Sequence, residues 1–282
     1  LRPAEQASIG VLDHGFTVGD GVFETLKTVV VPDVGLVPFA MDRHVRRLSV
    51  SARGMGLAAP DGDEVRDALL AVCAANPELD SGGRLRVTFT SGPGPLGSAR
   101  SGGRSTLTVA ASPAGAWPEA STVAISPWPR NERGPLVGLK STSYAENVLA
   151  LAHATALGAG EALLANLAGA VCEGTGSNVF VVRDGRITTP PLSTGCLAGI
   201  TRALVLEWCA QASVDVGERV EPLADIASAE EIFITSSTRD VHPVSALLDQ
   251  SGTPVWESVG EWPVTRRVAE VFAARQAMDW NP

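Results

Sequence analysis

Several residue types are scarce in this chain of 282 residues, and the scarcities narrow what it can do. Lysine occurs only at positions 27 and 140, and tyrosine only at 144. Chemistry that needs a side-chain amine therefore has two candidates. The four cysteines, Cys73, Cys172, Cys196 and Cys209, lie far apart with no C-x-x-C spacing. That pattern argues against a zinc site and a disulfide framework, so no metal is expected and a reducing compartment fits best. No apolar run reaches the length of a membrane span, and no charged start followed by an apolar segment opens the chain; a cytoplasmic location is expected. The numbered chain begins at Leu1 rather than Met, which suggests that a short piece precedes it. Lys and Arg total 22 against 31 Asp and Glu, a formal charge of −9. A nucleic-acid surface needs clustered cations to displace counterions, so small molecules are the expected partners.

What is present suits a globular protein. Hydrophobic residues make up 45% and charged residues 19%, and a chain of this length buries a sizeable core without staples. Alternating Val, Phe and Thr from Val22 to Val29 predict a strand after turn chemistry at 13–15 and 19–21. Helical spacing runs from Met41 to Met55, and Asp61 with Glu64 has capping-box spacing at the head of a second helix ending near Ala75. Strands follow at 84–91 and 105–111. Pro113, Gly115 and Pro118 mark a linker over 113–120, which divides a small N-terminal α+β domain, 1–112, from a larger α+β domain, 121–282, that holds Lys140. In the second domain, strands are expected at 123–126, 161–166, 178–182, 186–189 and 231–235, and helices at 143–157, 201–212 and 264–278. Mixed strands and helices with hairpin turns such as Asp184-Gly185 favour an α+β fold over a doubly wound one.

Three segments carry candidate chemistry. Gly195 to Arg202 runs from a Gly-containing loop into a helix, so that backbone N–H groups at Gly199, Ile200 and Thr201 would face an anion at the positive end of the helix dipole. The alternative is an ordinary capped helix. Lys140 sits between apolar residues and a polar stretch leading into a helix; as a Schiff-base amine it must lose its proton, which burial beside a cationic ring favours. The alternative is a solvated surface amine. Glu173, in Cys172-Glu173-Gly174-Thr175-Gly176-Ser177-Asn178, is a carboxylate at a Gly-rich turn that could hold a pyridine nitrogen protonated, or serve merely as a hairpin turn residue.

In order, the blocks Asp13 to Glu24, Arg43 to Leu48, Leu139 to Asn147, Glu173 to Phe180, Leu197 to Arg202 and Phe233 to Val241 resemble the fold-type IV enzymes that use pyridoxal 5′-phosphate (PLP). The resemblance spans nearly the whole chain and implies their two-domain α+β fold and a homodimer. Position by position it implies that Lys140 is the Schiff-base lysine and proton shuttle, that Glu173 partners the pyridine nitrogen, and that Arg47, Gly199, Ile200, Thr201, Ser237 and Thr238 surround the phosphate. Ser177 and Asn178 fall in the cofactor segment. Tyr144 falls one residue short of a tyrosine that contacts the ring hydroxyl in branched-chain aminotransferases. Arg86, Arg100 and Arg239 are candidates for a substrate carboxylate. Within the family the central blocks look most like the aminodeoxychorismate lyases, which implies release of pyruvate and 4-aminobenzoate from 4-amino-4-deoxychorismate. The alternative is an aminotransferase acting on branched-chain or D-amino acids with a keto-acid acceptor. A third reading is a cofactor-free binding protein that inherited the fold.

Overall fold

The computed structural model describes residues 1–282, apart from the side chains at 80 and 81. Two units divide it: Leu1–Gly115 with Leu139–Tyr144 and Asp279–Pro282, and Ala116–Gly138 with Ala145–Met278.

In the first unit, α1 (His14–Thr17) leads into β1 (Gly21–Val31), followed by β2 (Gly35–Pro38), α2 (Met41–Gly54), α3 (Gly62–Ala74), β3 (Gly83–Thr90) and β4 (Thr106–Pro113). The four strands make an antiparallel sheet in the order β2-β1-β3-β4. Val22 and Leu26, one strand turn apart twice over, point to the same face of β1. There they join Leu85 and Val87 of β3 and Val45, Leu48, Val65 and Leu69 of the two long helices in one buried core. The Asp61 carboxylate accepts from the N–H groups of Asp63 and Glu64, so the expected helix start is the observed one. Such a cap contributes about 1 kcal/mol.

The second unit holds β5 (Ser121–Ile125), α4 (Ala145–Ala156), β6 (Glu161–Ala165), β7 (Val171–Gly174), β8 (Asn178–Arg183), β9 (Arg186–Thr189), α5 (Ile200–Gln211), β10 (Val216–Glu218), β11 (Glu231–Ser236), β12 (Asp240–Leu248), β13 (Pro254–Glu257) and α6 (Pro263–Met278). Its nine strands form one mixed sheet, β10-β9-β8-β11-β12-β5-β6-β7, with β13 paired to β12. Asp184 and Gly185 both take positive φ, the backbone a two-residue hairpin needs to follow the strand twist, and they join β8 to β9. Phe180 and Phe233 sit opposite each other on β8 and β11 and stack with centroids 4.7 Å apart. The mixed α+β architecture is the one the element pattern predicted. No helix among the described residues is long and apolar enough to cross a membrane.

Lys140 is placed differently from the sequence reading, which put it in the second domain. The segment Leu139–Tyr144 groups with the first unit. The cause is backbone pairing: Phe23 N–H donates to Lys140 O at 2.9 Å, Thr142 N–H donates to Gly21 O at 2.8 Å, and Val22 bridges Ser141. The chain end returns to the same unit, where Ala40 N–H donates to Trp280 O at 2.8 Å. The expected linker at 113–120 also begins inside β4, which runs through Pro113.

Candidate active site

In the first unit several of the candidate side chains gather around β1. Because Lys140 is tied to β1 by its carbonyl, and its N–H donates to Ser51 Oγ at 3.2 Å, its side chain leaves a fixed backbone. Nζ lies 4.4 Å from the Phe23 ring centroid and 5.7 Å from that of Tyr144, and the two rings meet edge to face at 5.2 Å. The guanidinium of Arg86, on β3, covers the Phe23 ring at 3.3 Å. Lys27, the other lysine, lies on β1 with Nζ 4.9 Å from the Phe39 ring.

One residue beyond Phe23, Glu24 is buried at 1% exposure. Arg47 grips it with two bonds, Nε to Oε1 at 2.8 Å and Nη2 to Oε2 at 2.6 Å, and His44 Nδ1 lies 2.7 Å from Oε2. His44 and Arg47 are one helical turn apart on α2, which brings both to one carboxylate. Burial raises the Glu24 pKa, but the Arg47 guanidinium and then His44 outweigh it and hold the group at about 2. Burial pushes the His44 imidazole below its ordinary range, against the pull of Glu24.

The pH dependence follows from those directions. A carboxylate whose folded pKa is depressed contributes stability that is whole above its unfolded value, 4.5, and is lost as pH falls toward about 2. The difference corresponds to about 3 kcal/mol. Urea unfolding at a series of pH values should show this loss in the parent protein and a flatter profile over the same window in Glu24→Gln. Parallel profiles would remove Glu24 as its source.

The second unit supplies a different set. Glu173 does not sit at a turn, as the sequence suggested, but on β7, where Leu164 is its partner across the ladder. Its Oε2 accepts from the backbone N–H of Leu197 at 2.9 Å, and Oε1 lies 3.4 Å from Arg130 Nη2. The same Nη2 donates to Asn147 Oδ1 at 3.1 Å, and Asn147 Nδ2 donates to Thr175 O at 2.6 Å. Arg130 is thus a partner of Glu173, and Asn147 a partner of Arg130, that sequence reasoning missed; a Pro-flanked arginine at 127–130 was the only local signal for the first. Gly199 is the N-cap of α5 and has no side chain to cap it. A Cβ there would lie 1.8 Å from Asn178 Oδ1. The intrahelical ladder begins with Ala203 N–H to Gly199 O at 2.9 Å, so the N–H groups of Ile200 and Thr201 precede it. Asn178 Nδ2 donates to Leu197 O at 2.9 Å and so braces the loop ahead of α5.

Other predicted site residues have structural partners. Ser177 Oγ donates to buried Glu161 at 3.2 Å. Arg239, a candidate for substrate, instead pairs with Glu161 at 3.0 Å and lies over the Trp117 ring at 4.0 Å; its guanidinium is held by groups of the protein itself. Arg100 is bidentate to Asp20, at 2.7 and 2.5 Å, and donates to the carbonyls of Met55 and Gly56. Ser237 and Thr238 lie in the loop between β11 and β12. Among the described residues no group of His, Cys, Asp and Glu is arranged to hold a metal.

The sequence pattern of the family described as amino-transferase class IV matches residues 21–247. The chain belongs to that family. A Methanocaldococcus jannaschii protein named as a branched-chain-amino-acid aminotransferase is 34% identical over 250 residues, 85% of this chain and 83% of its own. The D-alanine aminotransferase of Bacillus licheniformis is 30% identical over 266 residues, covering 90% and 89%. Among solved structures, the branched-chain aminotransferase of Thermoproteus uzoniensis, determined with norvaline, superposes with a TM-score of 0.88 at 26% identity, covering 98% and 94%. A Legionella pneumophila protein described as a 4-amino-4-deoxychorismate lyase gives 0.85 at 26% identity, covering 97% of each chain. A Mycobacterium tuberculosis protein described as a hypothetical aminotransferase, with α-ketoglutarate and pyridoxamine phosphate bound, gives 0.83 at 26% identity, covering 99% and 96%.

Class IV aminotransferases are PLP-dependent, so this chain is a PLP-dependent enzyme and the cofactor-free reading falls. The groups present fit that cofactor in type. There is an amine at Lys140, a carboxylate at Glu173 fixed by a backbone donor, and a helix start at Gly199 with no side-chain cap, where the missing Cβ lets Asn178 approach.

Proposed function

We propose that the enzyme is an aminotransferase that takes the amino group of a branched-chain amino acid and delivers it to a keto-acid acceptor. The observation that carries this reading is the aromatic wall at the reactive amine. Phe23 and Tyr144 place apolar surface 4.4 and 5.7 Å from Lys140 Nζ, which suits an apolar substrate side chain. The names of the archaeal relatives support it. The lyase that the sequence motifs favoured becomes the second reading, supported by the Legionella protein, and the D-alanine aminotransferase keeps the opposite stereochemistry among the substrates to be tested.

When bound, PLP supplies an aldehyde for an amine and a ring that stores the electrons of the bond being broken. In this proposal Lys140 Nζ is the amine that would hold the cofactor, and once freed the same nitrogen would take the proton from the substrate α-carbon and deliver it to the carbon that had carried the aldehyde, so that a keto acid leaves. The Glu173 carboxylate, oriented by the Leu197 N–H, keeps a pyridine nitrogen protonated. The N-terminus of α5, with Gly199, Ile200 and Thr201 and no side-chain cap, would hold the phosphate, and Arg47, Ser237 and Thr238 are assigned to the same group. Asn178 fixes the loop before that helix. Arg86, beside the aromatic wall, is assigned to the substrate carboxylate, for which a guanidinium fork is suited. A homodimer belongs to the same reading.

The test is a comparison of amino donors. With 2-oxoglutarate as acceptor, L-leucine, L-isoleucine and L-valine should give glutamate faster than D-alanine does, and omission of the acceptor should stop turnover. Pyruvate release from 4-amino-4-deoxychorismate without acceptor would instead establish the lyase.

A further inference from the structure

Glu161 opens β6 and is 2% exposed, yet it carries a carboxylate that the proposed chemistry does not use. Burying a carboxylate is costly unless its oxygens are satisfied. Here they are. Oε1 accepts from the N–H groups of Ala162 at 3.2 Å and Thr175 at 3.0 Å and from the Thr175 hydroxyl, while Oε2 accepts from Ser177 Oγ at 3.2 Å and Arg239 Nη1 at 3.0 Å. The turn between β7 and β8 is wrapped tightly around this carboxylate. A Cβ at Gly174 would lie 2.2 Å from Ser177 Oγ and 3.3 Å from Glu161 Cδ.

Two lines of contact leave Glu161. One passes through the β7–β8 turn: Thr175 O holds Asn147, which holds Arg130, which lies against Glu173. The other passes through Arg239. Its guanidinium side chain is 8% exposed, donates to Gly160 O at 3.3 Å, and lies on the Trp117 ring, whose Nε1 in turn donates to Thr238 O at 2.9 Å. The loop after β11 is therefore pinned at its carbonyl by Trp117 and at its end by Arg239.

We infer that Glu161, Arg239 and Trp117 form a positioning network that holds the Ser237–Thr238 loop and the Glu173 strand in one arrangement, and so sets how tightly the cofactor is kept. None of the three is assigned to touch cofactor or substrate; they act through the residues they hold. The inference rests on the proposed role of that loop at the phosphate.

The test titrates full-length apoprotein with PLP, following cofactor absorbance and tryptophan fluorescence, with far-UV circular dichroism as the check on folding. Arg239→Met and Glu161→Gln should each weaken PLP binding by about tenfold or more, the range expected when one partner of a buried charged pair is lost. The double variant should be little worse than the poorer single, because the two residues make one contact. Trp117→Phe, at an exposed position, should weaken binding by about threefold through loss of one hydrogen bond. Parent-like affinity in folded Arg239→Met, or in Trp117→Phe where the first variant does not fold, overturns the inference. So do losses that multiply in the double variant. Ser237→Ala separates the two levels. If it leaves affinity unchanged, the assignment of the loop to the phosphate fails and the inference with it. If it weakens binding while Arg239→Met does not, the inference alone fails.

Discussion

Lys140→Ala should lose turnover by about 10⁴-fold or more, because one nitrogen is assigned both the covalent hold on the cofactor and the proton transfer. The visible absorbance of the holoenzyme should vanish with it. Rescue by the other lysine is not expected. Lys27 lies on β1, 113 residues along the chain from Lys140 and over a different ring, Phe39. Lys140 hangs from a segment whose backbone is bonded to Gly21, Phe23 and Ser51. Far-UV circular dichroism should match the parent, since those bonds involve the main chain and survive the substitution. Turnover within tenfold of the parent, with the absorbance intact, would remove Lys140 from the mechanism.

Glu173→Ala should reduce turnover by about 10²- to 10³-fold, the range seen when a preorganised charge is removed from a reacting centre. Cofactor retention should fall much less. The contrast is expected because the role proposed for the carboxylate is an electronic one on the ring, whereas the proposed hold on the cofactor is divided among Lys140, the α5 N-terminus and the β11–β12 loop. Leu197 N–H and Arg130 lose their acceptor in this variant, so Glu173→Gln is the cleaner companion: an amide oxygen still accepts from Leu197 but carries no charge. Both variants should show the same split. Equal losses of turnover and of cofactor affinity, measured by titration of apoprotein, would contradict an electronic role.

Local signals were legible where chain neighbours suffice. The Asp61 cap, the strand alternation at Val22 to Val29 and the Asp184-Gly185 hairpin need only adjacent residues, and each is found as read. The short strands β2, β7, β10 and β13 left too brief a pattern to register, whereas β9, equally short, was marked by its hairpin turn; the longer β12 was also missed. Lys140 and Glu173 were singled out by residue type and setting, but their partners were not. Arg130 reaches Glu173 from 43 positions away along the chain, and nothing in the P-W-P-R stretch says what it meets. For Arg239 too the partner was illegible: its place in a family block suggested a substrate contact, and nothing local announced buried Glu161, 78 residues earlier, which holds it.

By itself the sequence determined the class of the fold, the amines available for covalent chemistry and the ordered motifs of a PLP enzyme, because each depends on residue type and short spacing. Tertiary structure alone decided that the Lys140 segment belongs with β1, that Glu24 is shared by His44 and Arg47, and that Glu231, at the head of β11, caps α6 through the N–H groups of Val264 and Thr265. The physical reason is that a buried charge must be met by whichever donors the fold brings to it, and chain order does not record which those are.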